Sequence, residues 1–248
     1  MNILVCISSV PDTTSKINFT ADGKAFDKNG IQFVINPYDE FSLTRAIWFQ
    51  EKQGATVTVL TVGDASVEPV MRKALAIGAN DAIRVDTEPH DSYSTAKEIA
   101  KVIAENQYDL ILMGRESIDY NGNAVPAMLA AELGWSFVNN CIGLEVEEDQ
   151  ATAVSEIDGG KETVKFKLPA IIAGQKGIVE EKDLKIPNMR GIMQARSKPL
   201  NVVEASGAEA QVKADEFEKP EPRSSVTLVD KDNVEELVRL LHEEAKVI

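Results

Sequence analysis

The chain has 248 residues, 44% hydrophobic and 27% charged, which suits one large or two small globular domains and excludes disordered or fibrous classes. Twenty-six basic against forty acidic residues give a formal charge of −14, the reverse of what a phosphate backbone attracts, so no nucleic-acid partner is expected. Two cysteines and two histidines leave little material for a disulfide framework, a metal site or a histidine-based triad.

In chain order, Ile3 to Ile7 is an apolar run expected to form a buried strand. It lacks the basic flank of a signal peptide, and no apolar run reaches spanning length, so a cytoplasmic protein without membrane insertion is expected. Pro37 to Lys52 is expected as a helix, with Asn36 as cap and Pro37 at its first position. Thr56 to Val62 is a β-branched strand between Gly54 and Gly63, followed by a helix carrying Val67, Val70, Met71 and Ala74. Ala82 to Val85 is a third strand, then comes a helix with Ala96, Ile99, Ala100 and Ile103 on one face. Leu110 to Met113 is a fourth strand, and a helix from about Gly122 to Leu133 follows.

Strands separated by helices imply a doubly wound, mostly parallel α/β sheet covered on both faces. From Phe137 the pattern alternates through Gly143 to Glu147, Ala151 to Ile157 and Thr163 to Lys167, a small antiparallel extension turning at Asp158-Gly159-Gly160. Ala170 to Ala173 is expected to rejoin the main sheet, and a basic stretch from Lys182 to Lys198 follows. The expected division is an α/β nucleotide-binding domain over 1–200 and an extended C-terminal arm over 201–248. Its last helix, Asn233 to Lys246, gathers Val234, Leu237, Val238, Leu241 and Ala245 on one face that needs a surface to cover it.

Ligands of such sheets bind beyond the carboxyl ends of the strands, which nominates Ser8 to Asp12, Asn36 to Asp39, Val62 to Asp64, and Gly114 to Asn123. The last loop joins a strand to a helix amino end and brings Arg115, a combination able to receive a phosphate but equally an ordinary connection. Asn36-Pro37-Tyr38-Asp39 is explained as a capping segment, and its side chains could also reach a ligand. Asp158 and Glu162 read as a solvated turn rather than an acid/base pair, and Cys6 as a small buried hydrophobe. Nothing assembles a nucleophile, a base and an orienting group, so no catalytic residue is expected.

Several segments together resemble the beta subunit of the electron transfer flavoprotein family over essentially the whole chain. They are Asn2-Ile3-Leu4-Val5-Cys6 with Val10-Pro11-Asp12, Asn36-Pro37-Tyr38-Asp39, Lys73 to Ala79, Gly114-Arg115-Glu116-Ser117-Ile118-Asp119, and Glu156 to Ala170 as the family signature. Ser155 stands where that signature usually has Lys or Arg, and Tyr120 to Val125 departs from the usual ligand loop.

The resemblance implies a non-enzymatic electron carrier subunit. Its partner would be an alpha subunit holding the redox FAD, its donors flavin dehydrogenases such as acyl-CoA dehydrogenases, and its acceptor a quinone oxidoreductase feeding the quinone pool. It implies a structural AMP in this chain, or a second FAD as in the bifurcating branch. The implied nucleotide contacts are Cys6, Asn36, Pro37, Tyr38, Asp39, Val62, Gly114, Arg115, Ser117, Asp119, Asn121, Gly122, Asn123, Ala124 and Val125. Pro187, Met189 and Arg190 fall on the implied docking loop, with Met189 as its exposed apolar residue. The rival expectation is a stand-alone nucleotide-binding regulator resembling universal stress proteins, which would carry a glycine-rich phosphate loop.

Overall fold

A computed structural model of the chain describes residues 1–222 and 225–248. It divides into two compact units, Met1–Ile17 with Asp27–Asp215, and Asn18–Phe26 with Glu216–Ile248.

The first unit is built on a nine-stranded sheet. In chain order it contains β1 (Asn2–Cys6), β2 (Ser9–Pro11), β3 (Phe33–Ile35), α1 (Pro37–Gln53), β4 (Thr56–Val62), α2 (Glu68–Ile77), β5 (Asp81–Asp86), α3 (Ser92–Glu105), β6 (Leu110–Gly114) and α4 (Val125–Leu133). There follow β7 (Ser136–Glu147), β8 (Gln150–Ile157), β9 (Gly160–Lys167), β10 (Ala170–Gly174), α5 (Met189–Ala195) and β11 (Leu200–Glu204). The strand order is β11-β5-β4-β1-β6-β10-β7-β8-β9, parallel from β11 to β7 and antiparallel from β7 to β9. The doubly wound sheet and its antiparallel extension are thus as the sequence pattern implies, with Ala170 to Gly174 inserted between β6 and β7. β2 and β3 form a separate antiparallel pair.

β1 lies at the centre, with Val5 level with Val59 on one side and Leu112 on the other. Successive side chains point to opposite faces. Ile3, Val5 and Ile7 therefore pack with α1 and α2, while Leu4 and Cys6 pack with α3 and α4. Both faces are buried, which is why the strand reads as a continuous apolar run. Leu4, Leu60, Ile111 and Leu112 are removed from water almost completely, each contributing roughly 1.5–3 kcal/mol of transfer free energy.

Helix α1 begins at Pro37 and is capped after Gln53 by Gly54, whose φ of 68° returns the cap N–H to the last turn. Helix α4 starts at Val125 rather than near Gly122. Asn121 and Asn123 take left-handed backbone angles, φ 49° and 44°, which interrupt a helix and which asparagine tolerates.

In the second unit Phe19 stacks on Phe217 with ring centroids 5.2 Å apart, and Phe217 N–H donates to the Gly23 carbonyl. Helix α6 (Val234–Arg239) continues as a wider turn to Ala245. Within it Arg239 pairs with Glu236, Glu243 and Glu244, while Val234, Leu237 and Val238 are exposed. Among the described residues no helix is long and apolar enough to cross a membrane.

Candidate functional site

The sheet order reverses beside β1. The chain steps outward from β1 to β4 and β5 beneath α1 and α2, then returns under α3 to place β6 on the other side of β1. The carboxyl ends of β1 and β6 therefore flank the topological switch point, where doubly wound sheets receive ligands.

Asp39, in the first turn of α1, ties that edge together. Its Oδ2 accepts the Ser8 N–H at 2.7 Å and its Oδ1 the Gly114 N–H at 2.7 Å, so one carboxylate joins the ends of β1 and β6 to the helix. The side chain is buried, and desolvation pushes its pKa up to about 7 against the pull of the two N–H groups. Asp119 acts in the same upward direction. Gly114 is required by this closeness, because a Cβ there would stand 2.5 Å from Asp39 Oδ1 and 2.6 Å from Tyr38 Cβ.

Asn36 occupies the cap position of α1 without capping it. Its side chain instead spans to the loop after β6, with Nδ2 donating to the Glu116 carbonyl at 2.8 Å and Oδ1 accepting the Ile118 N–H at 3.2 Å. The capping explanation for Asn36 and Asp39 is corrected accordingly: both side chains bond to backbone at the strand ends. The reason is that the Ser8, Gly114 and Ile118 N–H groups and the Glu116 carbonyl need partners where the strands end, and burial makes their satisfaction obligatory.

Arg115 lies over the Tyr38 ring, 5.2 Å from its centroid. Its guanidinium donates to Glu116 at 2.8 Å and to Gln175 Oε1 at 3.2 Å, and Gln175 donates in turn to Glu156. The charge of Arg115 is thus paired with Glu116, while its Nε is buried without a partner among the described residues. Beyond it Ser117 accepts the Asn121 N–H, and Asp119, Tyr120, Asn121, Gly122 and Asn123 are exposed. Ala124, the cap residue of α4, supplies no side-chain acceptor to the first turn. Asn123 accepts from Asn139 Nδ2 at 3.2 Å, and Asn139 Oδ1 is buried without a partner.

Cys6, Val62 and Val125 belong to the apolar cluster on the α3 and α4 face, while Asn36 to Asp39 enter from the α1 side. The nominated loops therefore meet one sheet edge from both faces. Burial drives the Cys6 thiol pKa far up, and Cys141 up to about 11, so neither is a thiolate nucleophile. Ser8 and Glu116 lie in the nominated loops but not among the implied contacts, while Asn139 and Gln175 carry no sequence signal. Ser8 acts through its backbone N–H, which no side-chain signal advertises.

Pro187, Met189 and Arg190 lie apart from this edge, at and before α5. Asn188 caps the helix by accepting the Gly191 N–H at 2.8 Å. α5 lies so near α2 that a Cβ on Gly191 would collide with the Ala76 carbonyl. Met189 is 76% exposed, with Ile186 at 79% and Met193 at 70% beside it in sequence. Ile186 and Met193 are the part of this patch that sequence reasoning missed.

Fold and edge together define a doubly wound α/β protein whose strand order reverses beside β1. A family model for the electron transfer flavoprotein domain matches residues 24–208. The electron transfer flavoprotein subunit beta of Bacillus subtilis is 33% identical over 262 aligned residues, covering all of both chains. That of Bradyrhizobium diazoefficiens is 33% identical over 252 residues, again with both chains covered, and that of Homo sapiens 28% over 255, covering all of this chain and 99% of the human one. The chain belongs to the electron transfer flavoprotein family, as a beta subunit.

Proposed function

We propose that this chain buries a structural AMP at the β1/β6 edge and forms the non-catalytic half of a heterodimer whose alpha subunit holds the redox FAD. In this reading the complex accepts electrons from flavin dehydrogenases, such as acyl-CoA dehydrogenases, and delivers them through a quinone oxidoreductase to the quinone pool, in the cytoplasm. The observation that carries it is the crossed pair of buried anchors, Asp39 to Ser8 and Gly114, and Asn36 to Glu116 and Ile118. They fix this edge before any ligand arrives, which lowers the ordering cost of binding.

The residues present fit an adenine nucleotide. The amino end of α4 has N–H groups without a side-chain cap, suited to a phosphate, and Asn139 Oδ1 offers an unused acceptor to a ribose hydroxyl or an amino group. Cys6 and Val62 supply apolar surface on the same edge. FAD would supply the one-electron and hydride chemistry, and this chain's residues bind and position. The exposed Ile186, Met189 and Met193 support a donor-docking role for the Pro187 to Arg190 segment, because methionine surfaces adapt to several partners. The exposed apolar face of α6 supports an alpha-subunit contact for the C-terminal arm over 201–248.

The test is co-expression with an alpha subunit and chromatography of the nucleotides released on denaturation. One FAD and one AMP per heterodimer is the expected result. Two FAD without AMP would move the chain to the bifurcating reading, and a nucleotide-loaded chain that ignores the alpha subunit would overturn both.

A further inference from the structure

After β11 the chain runs along α3, held by five hydrogen bonds to two carboxylates. Glu98 accepts from Ser206 N at 2.6 Å, Ser206 Oγ at 2.7 Å and Ala208 N at 3.3 Å, and Asp91 accepts from Gln211 N at 2.6 Å and Val212 N at 3.0 Å. Gly207 sits between the first two donors at φ +78°, a left-handed backbone that turns the flanking N–H groups onto one carboxylate. Glu98 is 3% exposed, and its burial is tolerable because this segment satisfies it. Asp91 is shared, since it also accepts the Ser94 N–H as the cap of α3.

Both ends of the segment reach residues of the nucleotide edge. Ala208 and Glu98 line, with Val62, Thr95 and His90, a cavity of about 10 Å³, room for about one water. At the other end Asp91 precedes Ser92, whose Oγ would lie 3.6 Å from a Cβ on Gly122. Between the segment and Lys97, Lys101 and Leu133 there is instead an open cleft of about 640 Å³. Apart from half-buried Ala208 the segment is exposed, so polar bonds rather than apolar packing hold it. A segment with few buried apolar contacts opens at low cost.

We propose that Ser206 to Val212 is a latched strap closing the Val62 flank of the nucleotide site, and that nucleotide exchange follows its release from Glu98 and Asp91. The proposal rests on the nucleotide reading of the site. Glu98 and Asp91 act as positioning residues, since they hold the strap and not the nucleotide.

The test compares wild-type heterodimer with Glu98→Gln and with Gly207→Ala, which leaves both carboxylates in place and strains only the left-handed turn. Hydrogen exchange of the 206–212 amides reads the latch, and replacement of bound AMP by radiolabelled AMP reads the gate. Glu98→Gln should speed both about tenfold, the loss expected for charge-assisted bonds, and Gly207→Ala should speed both about fivefold. Faster amide exchange with AMP replacement at the wild-type rate would overturn the gate. Unchanged amide exchange in both variants would overturn the latch. A wild-type complex that neither carries nor binds AMP would overturn the site reading and the gate with it, a result the amide exchange distinguishes from a failed latch.

Discussion

The switch-point edge and the α5 shoulder differ in what their side chains do before a partner arrives. At the edge, Asn36 and Asp39 are buried and bonded to backbone groups of Ser8, Gly114, Glu116 and Ile118. At the shoulder, Ile186, Met189 and Met193 stand in water. The edge has its geometry set by folding, so damage there changes stability and binding together. The shoulder keeps its apolar surface exposed, so damage there changes association alone.

Asp39→Asn should have the largest effect. Asparagine keeps the shape but replaces one acceptor oxygen with an NH₂ group that faces the N–H of Ser8 or Gly114. Leaving a buried donor unsatisfied costs about 1–3 kcal/mol. Urea denaturation of the heterodimer should show that loss, and a wild-type midpoint would break the contrast.

Met189→Glu and Ile186→Glu should leave the midpoint within about 0.5 kcal/mol of wild type, as exposed substitutions do. They should slow electron acceptance from an acyl-CoA dehydrogenase by about tenfold, the scale of an interface hot spot. Wild-type transfer kinetics in both variants would count against the docking role.

Asp39 should also make stability depend on pH. Burial raises Asp39 from 3.8 to about 7, so between those values the folded chain binds a proton that the unfolded chain releases. Its contribution to stability is greatest below about pH 4 and is lost as pH rises through about 7. The slope of the urea midpoint against pH should therefore be more negative in the wild type than in Asp39→Asn. Identical slopes would show that Asp39 does not titrate in this window.

How much of this could be read in the sequence depended on the range of the interaction. The parallel sheet was legible because Ile3 to Ile7, Thr56 to Val62 and Leu110 to Met113 are apolar runs buried on both faces, and amphipathic helices alternate with them. β2 and β3 were not, because three residues each are too few to show a period. β11 was hidden for a different reason: only Leu200 and Val203 are half-buried at this sheet edge, so no alternation stands out. Asn36 and Asp39 were visible as residues but were explained by local capping, whereas their partners lie up to 82 positions away. Asn123 was taken into a helix whose start its own left-handed conformation delays. Ile186 and Met193 gave no signal, because a lone apolar residue in or just before a short helix does not show whether it is buried.

In the proposed function the edge holds the nucleotide and the shoulder does not. This is tested most directly by counting AMP per heterodimer in Asp39→Asn and in Met189→Glu, purified side by side with wild type. AMP should be lost from the first and stay stoichiometric in the second. AMP retained in full by Asp39→Asn, or lost equally from both, would contradict it.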